Sequence, residues 1–474
     1  MPGKGGDRQK FLFCGKRSGN FLEMRLRTLH KFISCKEEKM TSEENKVPAK
    51  AWVVTFAGTA INLCLGILYA WSVWAKALIN VKQAGQPMTG INEGWTFLTN
   101  AEAATPFSLC VIIFAIFMIA GGRIQDRFGP KVGATLGGLC LAVGCILAGL
   151  MKSYSGLIIG FGILGGIGMG IGYAAPTPAA LKWFGPHKRG LVAGLVVGGY
   201  GGAALYIAPL AQKLIDSYGI SGSFIALGIL FAIVVVVAGQ LLAWPPAGYV
   251  PPSAKGVTAV SAAATAKRQS AHDWSAGEMS KTWQFYALIV LFIGSTQSGL
   301  MIIANAAGIL ATTAKGIPFF ALNAWILVSF GGAINALGRV GTGMYSDKIG
   351  RANAYTLNCI VSALCLFAMP SIIASKNVFL LFLAIGIAYW QYGGGLALLP
   401  AFTADFYGAK NLGFNYGLVF IGWGLGFFMA RLAGTIKDIT GSLDYAFYLS
   451  AAVLIIAVIL VRITHRPDWS AQEA

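Results

Sequence analysis

Twelve apolar stretches, each about 20 residues or longer, dominate this chain, and that length is what an α-helix needs to cross a bilayer. In hydrocarbon every backbone N–H and C=O must find its partner within the protein, so apolar spans of this kind have to be helices. Read by hydropathy, they cover 51–78, 101–122, 132–151, 156–184, 190–214 and 222–244, then 283–312, 321–345, 352–374, 378–406, 412–436 and 445–463. Residues 245–281 between the sixth and seventh are rich in Pro, Ala and Ser with scattered Lys and Arg, the composition of a flexible linker. The expected fold is therefore an all-α membrane protein of twelve transmembrane helices in two six-helix bundles, 50–244 and 282–464. A disordered extension precedes them at 1–49 and a short tail follows at 465–474. The extension is polar and basic; it reads either as a short amphipathic surface segment or, preferably, as an upstream extension ahead of a start at Met40.

The formal charge of +18 suggests nucleic acid at first sight, but only 11% of residues are charged and 56% are apolar, which leaves no folded basic domain. The cations are instead grouped by topology. Arg123, Arg127 and Lys131 follow the second span, Lys182, Lys188 and Arg189 the fourth, Lys255, Lys267 and Arg268 lie in the linker, and Lys348 and Arg351 follow the eighth. All of these loops belong to one face, whereas 216–222 and 437–444 opposite are nearly balanced. Short cytoplasmic loops carry the Lys/Arg excess, so both termini and the linker are expected in the cytoplasm, with the protein in the cell (inner) membrane.

Enzyme chemistry finds no support in the sequence. His30, His187, His272 and His465 lie outside the spans, and no CxxC or HExxH spacing occurs, so neither a metal nor a cofactor is expected. Cys64, Cys110, Cys140, Cys145, Cys359 and Cys365 fall within apolar spans, as packing thiols do. Gly160–Gly165 matches GxGxxG literally, yet no strand precedes it and small residues continue through Gly166, Gly168, Gly170 and Gly172, as in closely packed membrane helices.

The six-and-six division invites a search for an internal repeat, and one is visible. Gly122-Arg123-Ile124-Gln125-Asp126-Arg127-Phe128-Gly129 after span 2 mirrors Gly343-Met344-Tyr345-Ser346-Asp347-Lys348-Ile349-Gly350 after span 8. Farther on, Gly194-Leu195-Val196 mirrors Gly417-Leu418-Val419, which aligns Tyr200 with Trp423. Two parallel halves with an Asp/basic loop between their second and third spans resemble the major facilitator superfamily. The resemblance implies that Asp126, Arg127, Asp347 and Lys348 latch neighbouring helix ends and bias the inward and outward states. The first span, Asn62-Leu63-Cys64-Leu65-Gly66-Ile67-Leu68-Tyr69-Ala70-Trp71-Ser72-Val73, resembles the opening helix of the oxalate/formate antiporter branch, which includes bacterial relatives of monocarboxylate transporters. Gly172-Tyr173, Tyr200, the Asn335/Arg339 pair, and 404–408 with 415–417 extend that similarity over all twelve spans.

Within this frame Arg339 stands out, because a permanent cation inside a span costs about 3 kcal/mol on insertion scales and normally faces a wet cavity with a partner. It lies eight residues before Asp347, about 12 Å along a helix, which brings it toward the bilayer midplane. Asn335 is one turn earlier on the same face. In the repeat register their counterparts are Met118 and Phe114, so the charge is one-sided. Arg431 and Glu102, nearer span ends, suit structural or entrance roles. A guanidinium takes a carboxylate by a planar two-pronged hydrogen bond, and one arginine accounts for one carboxylate. Relatives that carry oxalate place a lysine on span 11 facing the arginine, and here the alignment brings Trp423 to that place. Monocarboxylate relatives pair the arginine with an acid one turn earlier, and here it is Asn335, which cannot carry a proton. Tyr69, Tyr173, Tyr200, Tyr392 and Trp423 are candidates for an aromatic wall, or alternatively core or belt residues. The expected activity is proton-coupled transport of a small monocarboxylate by a monomer, with oxalate/formate-type exchange as the alternative and a non-transporting carboxylate sensor behind both.

Overall fold

The computed structural model describes residues 47–184, 186–249, 251, 272–408 and 411–468, except for the side chains of 186–190 and 413. Residues 1–46, most of the linker with Lys255, Lys267 and Arg268, and 469–474 lie outside the described residues, as do the side chains of His187, Lys188 and Arg189. The residues from Ala49 onward form one compact unit, so the two six-helix halves pack as a single body.

Ten helices among the described residues are long and apolar enough to cross a membrane. Two physical details bring the crossings to twelve. One segment, Leu191–Leu241, counts 51 residues, about 76 Å at 1.5 Å per residue and far more than one ~30 Å hydrocarbon core. It turns at Gly219, whose φ of 71° and ψ of −179° leave the helical region in a way open essentially to glycine. Spans 5 and 6 are thus 186–218 and 220–241. The other missing crossing is Trp325–Ile349, a 25-residue helix whose mean hydropathy is depressed by Asn335 and Arg339, the polar pair that drew attention to it.

The remaining spans are Ala49–Leu78, Asn100–Phe128, Pro130–Met151 and Tyr154–Leu181 in the first half. Trp283–Thr313, Trp325–Ile349, Arg351–Ala374, Val378–Tyr407, the broken helix 412–440 and Asp444–Ile463 make the second. The internal repeat is visible in the backbone. Gly129 and Gly350, matched in the repeated loop, both adopt positive φ, 87° and 91°, between the second and third spans of their halves. Six crossings separate the two loops, so both lie at the same end of the bundle, called here the basic end.

Several spans depart from regular α-helix where sequence hydropathy sees nothing. Span 1 narrows to a 3₁₀ stretch at Gly66–Ala70, and span 4 widens to a π-helical stretch at Leu157–Gly165. Such interruptions in membrane helices cluster at functional places. The glycines of the GxGxxG look-alike belong to this packing: a Cβ on Gly160 would meet the Gly144 carbonyl oxygen of span 3 at 2.4 Å. All six described cysteines are free thiols, four of them buried.

Candidate functional site

Arg339 sits in the middle of span 8 with only 7% of its surface exposed, and Asn335 one turn earlier is fully buried. The guanidinium reaches across to the other half of the molecule. Its Nε donates to Asn335 Oδ1 at 3.2 Å, Nη1 to the Val197 carbonyl of span 5 at 3.3 Å, and Nη2 to the Tyr69 hydroxyl of span 1 at 3.1 Å. Every one of these acceptors is neutral. Among the described residues no carboxylate lies within 4.0 Å of this cation, since the ion pairs there involve His272 and Arg351. A buried charge normally has a charged partner, because neutral dipoles recover only part of its lost hydration.

The 3₁₀ stretch of span 1 ends beside the guanidinium and carries Tyr69 into the interface between halves. The Tyr69 and Tyr392 hydroxyls share a hydrogen bond at 3.0 Å, and Trp423 Nε1 donates to Tyr392 at 2.9 Å. Tyr200 packs edge-on to Tyr69 at 5.2 Å between ring centroids and to Tyr173 at 5.1 Å. All seven residues singled out from the sequence therefore stand in one contiguous cluster: Arg339, Asn335, Tyr69, Tyr173, Tyr200, Tyr392 and Trp423. The first half supplies three of them and the second half four. Chemically the cluster is rich in hydrogen-bond donors and poor in free acceptors, which suits an anion. Asn335 shows this directly. Its Oδ1 must face the donating guanidinium, so its Nδ2 points elsewhere and has no hydrogen-bond partner.

Four contributors escaped the sequence reading. Phe114 joins the wall, 4.9 Å from Trp423 and 5.5 Å from Tyr173, and Phe420 stacks on Trp423 at 5.0 Å. Phe114 was visible in the repeat register only as the apolar counterpart of Asn335. Val197 acts through a backbone carbonyl, which no side-chain pattern reveals. Gly201 lies against the guanidinium, where a Cβ would come within 3.0 Å of Nε.

The expected gating residues lie apart, at the basic end. Asp347 pairs with Arg351 at 2.7 Å, and Arg351 Nε approaches Asp405 of span 10 at 3.5 Å. Lys348 forms no ion pair among the described residues. In the first half Arg127 lies over the Phe128 ring at 5.3 Å, and Pro130 occupies the repeat position of Arg351. Arg431 donates to Thr435 on its own helix, and Glu102 closes a capping box with Thr99 at the start of span 2. Both are structural placements.

The family model described as Major Facilitator Superfamily matches residues 51–390, from the first span into the tenth. The chain belongs to the major facilitator superfamily. It is 29% identical over 344 residues to the oxalate:formate antiporter of Oxalobacter formigenes, covering 70% of this chain and 77% of that protein. It is also 25% identical over 466 residues to apicoplast pyruvate carrier 1 of Toxoplasma gondii, covering 82% and 83%. Among solved structures, a partially occluded inward-open conformation of the xylose transporter XylE from E. coli superposes with a TM-score of 0.62 at 13% identity, covering 89% of this chain and all of that one. At that identity the likeness concerns the fold. This major facilitator protein is thus a multi-pass membrane transporter and not an enzyme, similar in sequence to an oxalate:formate antiporter and to monocarboxylate transporters.

Proposed function

We propose that this transporter carries small monocarboxylates of the lactate or pyruvate kind across the cell membrane by alternating access, together with a proton. The observation that carries the reading is the unpaired buried cation of Arg339, held at the junction of the halves by neutral acceptors alone. A substrate carboxylate supplies the missing charge, and Asn335, Tyr69 and Tyr392 add neutral hydrogen bonds around it. The aromatic wall of Tyr173, Tyr200 and Trp423, with Phe114, accepts a short apolar tail. The basic end faces the cytoplasm on the distribution of Lys and Arg. There Asp126, Arg127, Asp347 and Lys348 act in gating, with Arg351 as the residue that ties Asp347 toward span 10.

Exchange of the oxalate/formate kind is the second reading, favoured by the antiporter relative. Against it stands Trp423, an indole where a second cation would meet the far end of a dianion. Arg339→Gln tests the binding role in proteoliposomes loaded with the purified protein. Labelled lactate or pyruvate uptake falls roughly 100-fold, the loss of charge-assisted hydrogen bonds to one carboxylate, while the detergent melting curve is kept. Undiminished uptake would refute the assignment.

A further inference from the structure

The cross-half hydrogen bonds among the described residues lie at the middle of the bundle and at the end opposite the basic loops. Toward that end, Ser329 Oγ of span 8 donates to the Ala204 carbonyl of span 5, Lys76 Nζ to the Ala321 carbonyl, and the Ala307 amide to Ser72 Oγ. The contact with the most hydrogen bonds there is made by Asp438 near the end of span 11. Its Oδ1 accepts from the Asn100 amide at 3.0 Å and from Asn100 Nδ2 at 2.7 Å, and its Oδ2 accepts from the Ala101 amide at 2.7 Å. Asn100 and Ala101 form the first turn of span 2, in the other half. One carboxylate thus satisfies amides that a helix start leaves without intrahelical partners, and it does so across the interface that alternating access must open.

One turn before Asp438, Gly434 lets the two helices touch: a Cβ there would meet the Asn100 carbonyl oxygen at 2.8 Å and Ala101 Cα at 3.0 Å. Asp438 itself is half-buried, so water and protons can reach it. The charged groups on the elements around it are few. Lys437 beside it interacts with it electrostatically. Arg431 is engaged with Thr435, Glu102 on span 2 is turned back onto the Thr99 amide at 2.8 Å, and Asp444 opens span 12. Span 7 has no charged residue, and Lys315 follows it.

We infer that Asp438 is a proton-responsive latch: ionised, it holds the end opposite the basic loops shut, and it takes up a proton when that end opens. The donor count gives the reason. Three N–H groups converge on two oxygens, an arrangement that needs both to accept. A proton on Oδ2 makes that oxygen a donor and a weaker acceptor facing the Ala101 N–H, and it removes the charge that strengthens all three bonds, so protonation weakens the closed contact. Acid on that side therefore favours opening, and closing returns the proton. In the carrier reading on which this rests, that side is external, and Asp438 supplies the titratable group that Asn335 cannot.

Hydrogen exchange of the amides at 99–103, corrected for the intrinsic pH dependence of exchange, reads the latch without any substrate. In the full-length protein the protection of these amides falls roughly tenfold between neutral pH and about pH 3, one unit below the ordinary aspartate range, where the open state holds its proton. Asp438→Asn, which mimics the protonated acid, shows the low protection at both values, and Asp438→Glu retains the pH response. Gly434→Ala, which pries the helices apart and keeps the carboxylate, lowers protection at both values. Uptake by Asp438→Asn loses its dependence on external pH, which a merely structural role would not remove. Wild-type protection that ignores pH overturns the inference, as does an unaltered pH response in Asp438→Asn. Absence of lactate transport by the wild type would instead refute the carrier reading and leave the exchange result standing.

Discussion

At the level of single residues, the site contrasts one cation with a set of neutral hydrogen-bonding and aromatic groups. Arg339 and Asn335 were legible in the sequence because charge and amide are rare inside a span, where each costs free energy unless used. The aromatic partners were legible only as candidates, since a tyrosine in a span can pack, belt or bind. Two substitutions probe what each side contributes. Trp423→Lys places a second cation opposite Arg339, and uptake of oxalate relative to lactate rises by roughly tenfold in a competition panel, as specificity follows the added attraction. Gly201→Ala crowds the guanidinium from span 5, where Nε stands 3.0 Å and Cζ 3.3 Å from the new Cβ position. A guanidinium displaced by a few tenths of an ångström raises the half-saturating substrate concentration roughly threefold or more, measured by initial-rate uptake.

Among the elements, the repeated loop after the second span of each half shows how backbone conformation enters the sequence. Gly129 and Gly350 recur because their φ values, with ψ of 164° and 151°, fall in a region that side chains avoid. Alanine at either position costs about 1–3 kcal/mol, seen as a lower melting temperature, whereas Gly343→Ala, in open helix surface, is neutral or slightly stabilising. The ion pairs of this loop were less legible. The repeat and the family resemblance pointed to Asp347 and Lys348, while the helix start puts Arg351 in reach of both Asp347 and Asp405. The direction a side chain takes from a helix terminus depends on the angle between two spans, which local sequence does not contain.

For the whole molecule, the position of Arg339 at the junction of the halves means that the substrate charge is read by both at once. A carrier built this way, with one proton entering alongside the anion, accumulates labelled lactate in proteoliposomes to a steady state roughly tenfold higher under an inward proton gradient of about one pH unit, because the two concentration ratios balance. Uptake indifferent to the gradient, with counterflow intact, selects anion exchange. Binding with neither flux nor counterflow selects a sensor.

Hydrophobic length and charge placement alone led to the membrane class, the twelve crossings and the basic loops, because the bilayer imposes those constraints one span at a time. The internal repeat identified the polar pair of span 8 as one-sided by simple comparison. What waited for the tertiary structure was convergence: that Tyr69, Val197 and Gly201 of one half meet Arg339 of the other, and that Asp438 closes on the first turn of span 2. Those contacts join residues about 140 to 340 positions apart, and their formation is decided by how helices pack and tilt, for which lipid-facing and partner-facing apolar side chains read alike.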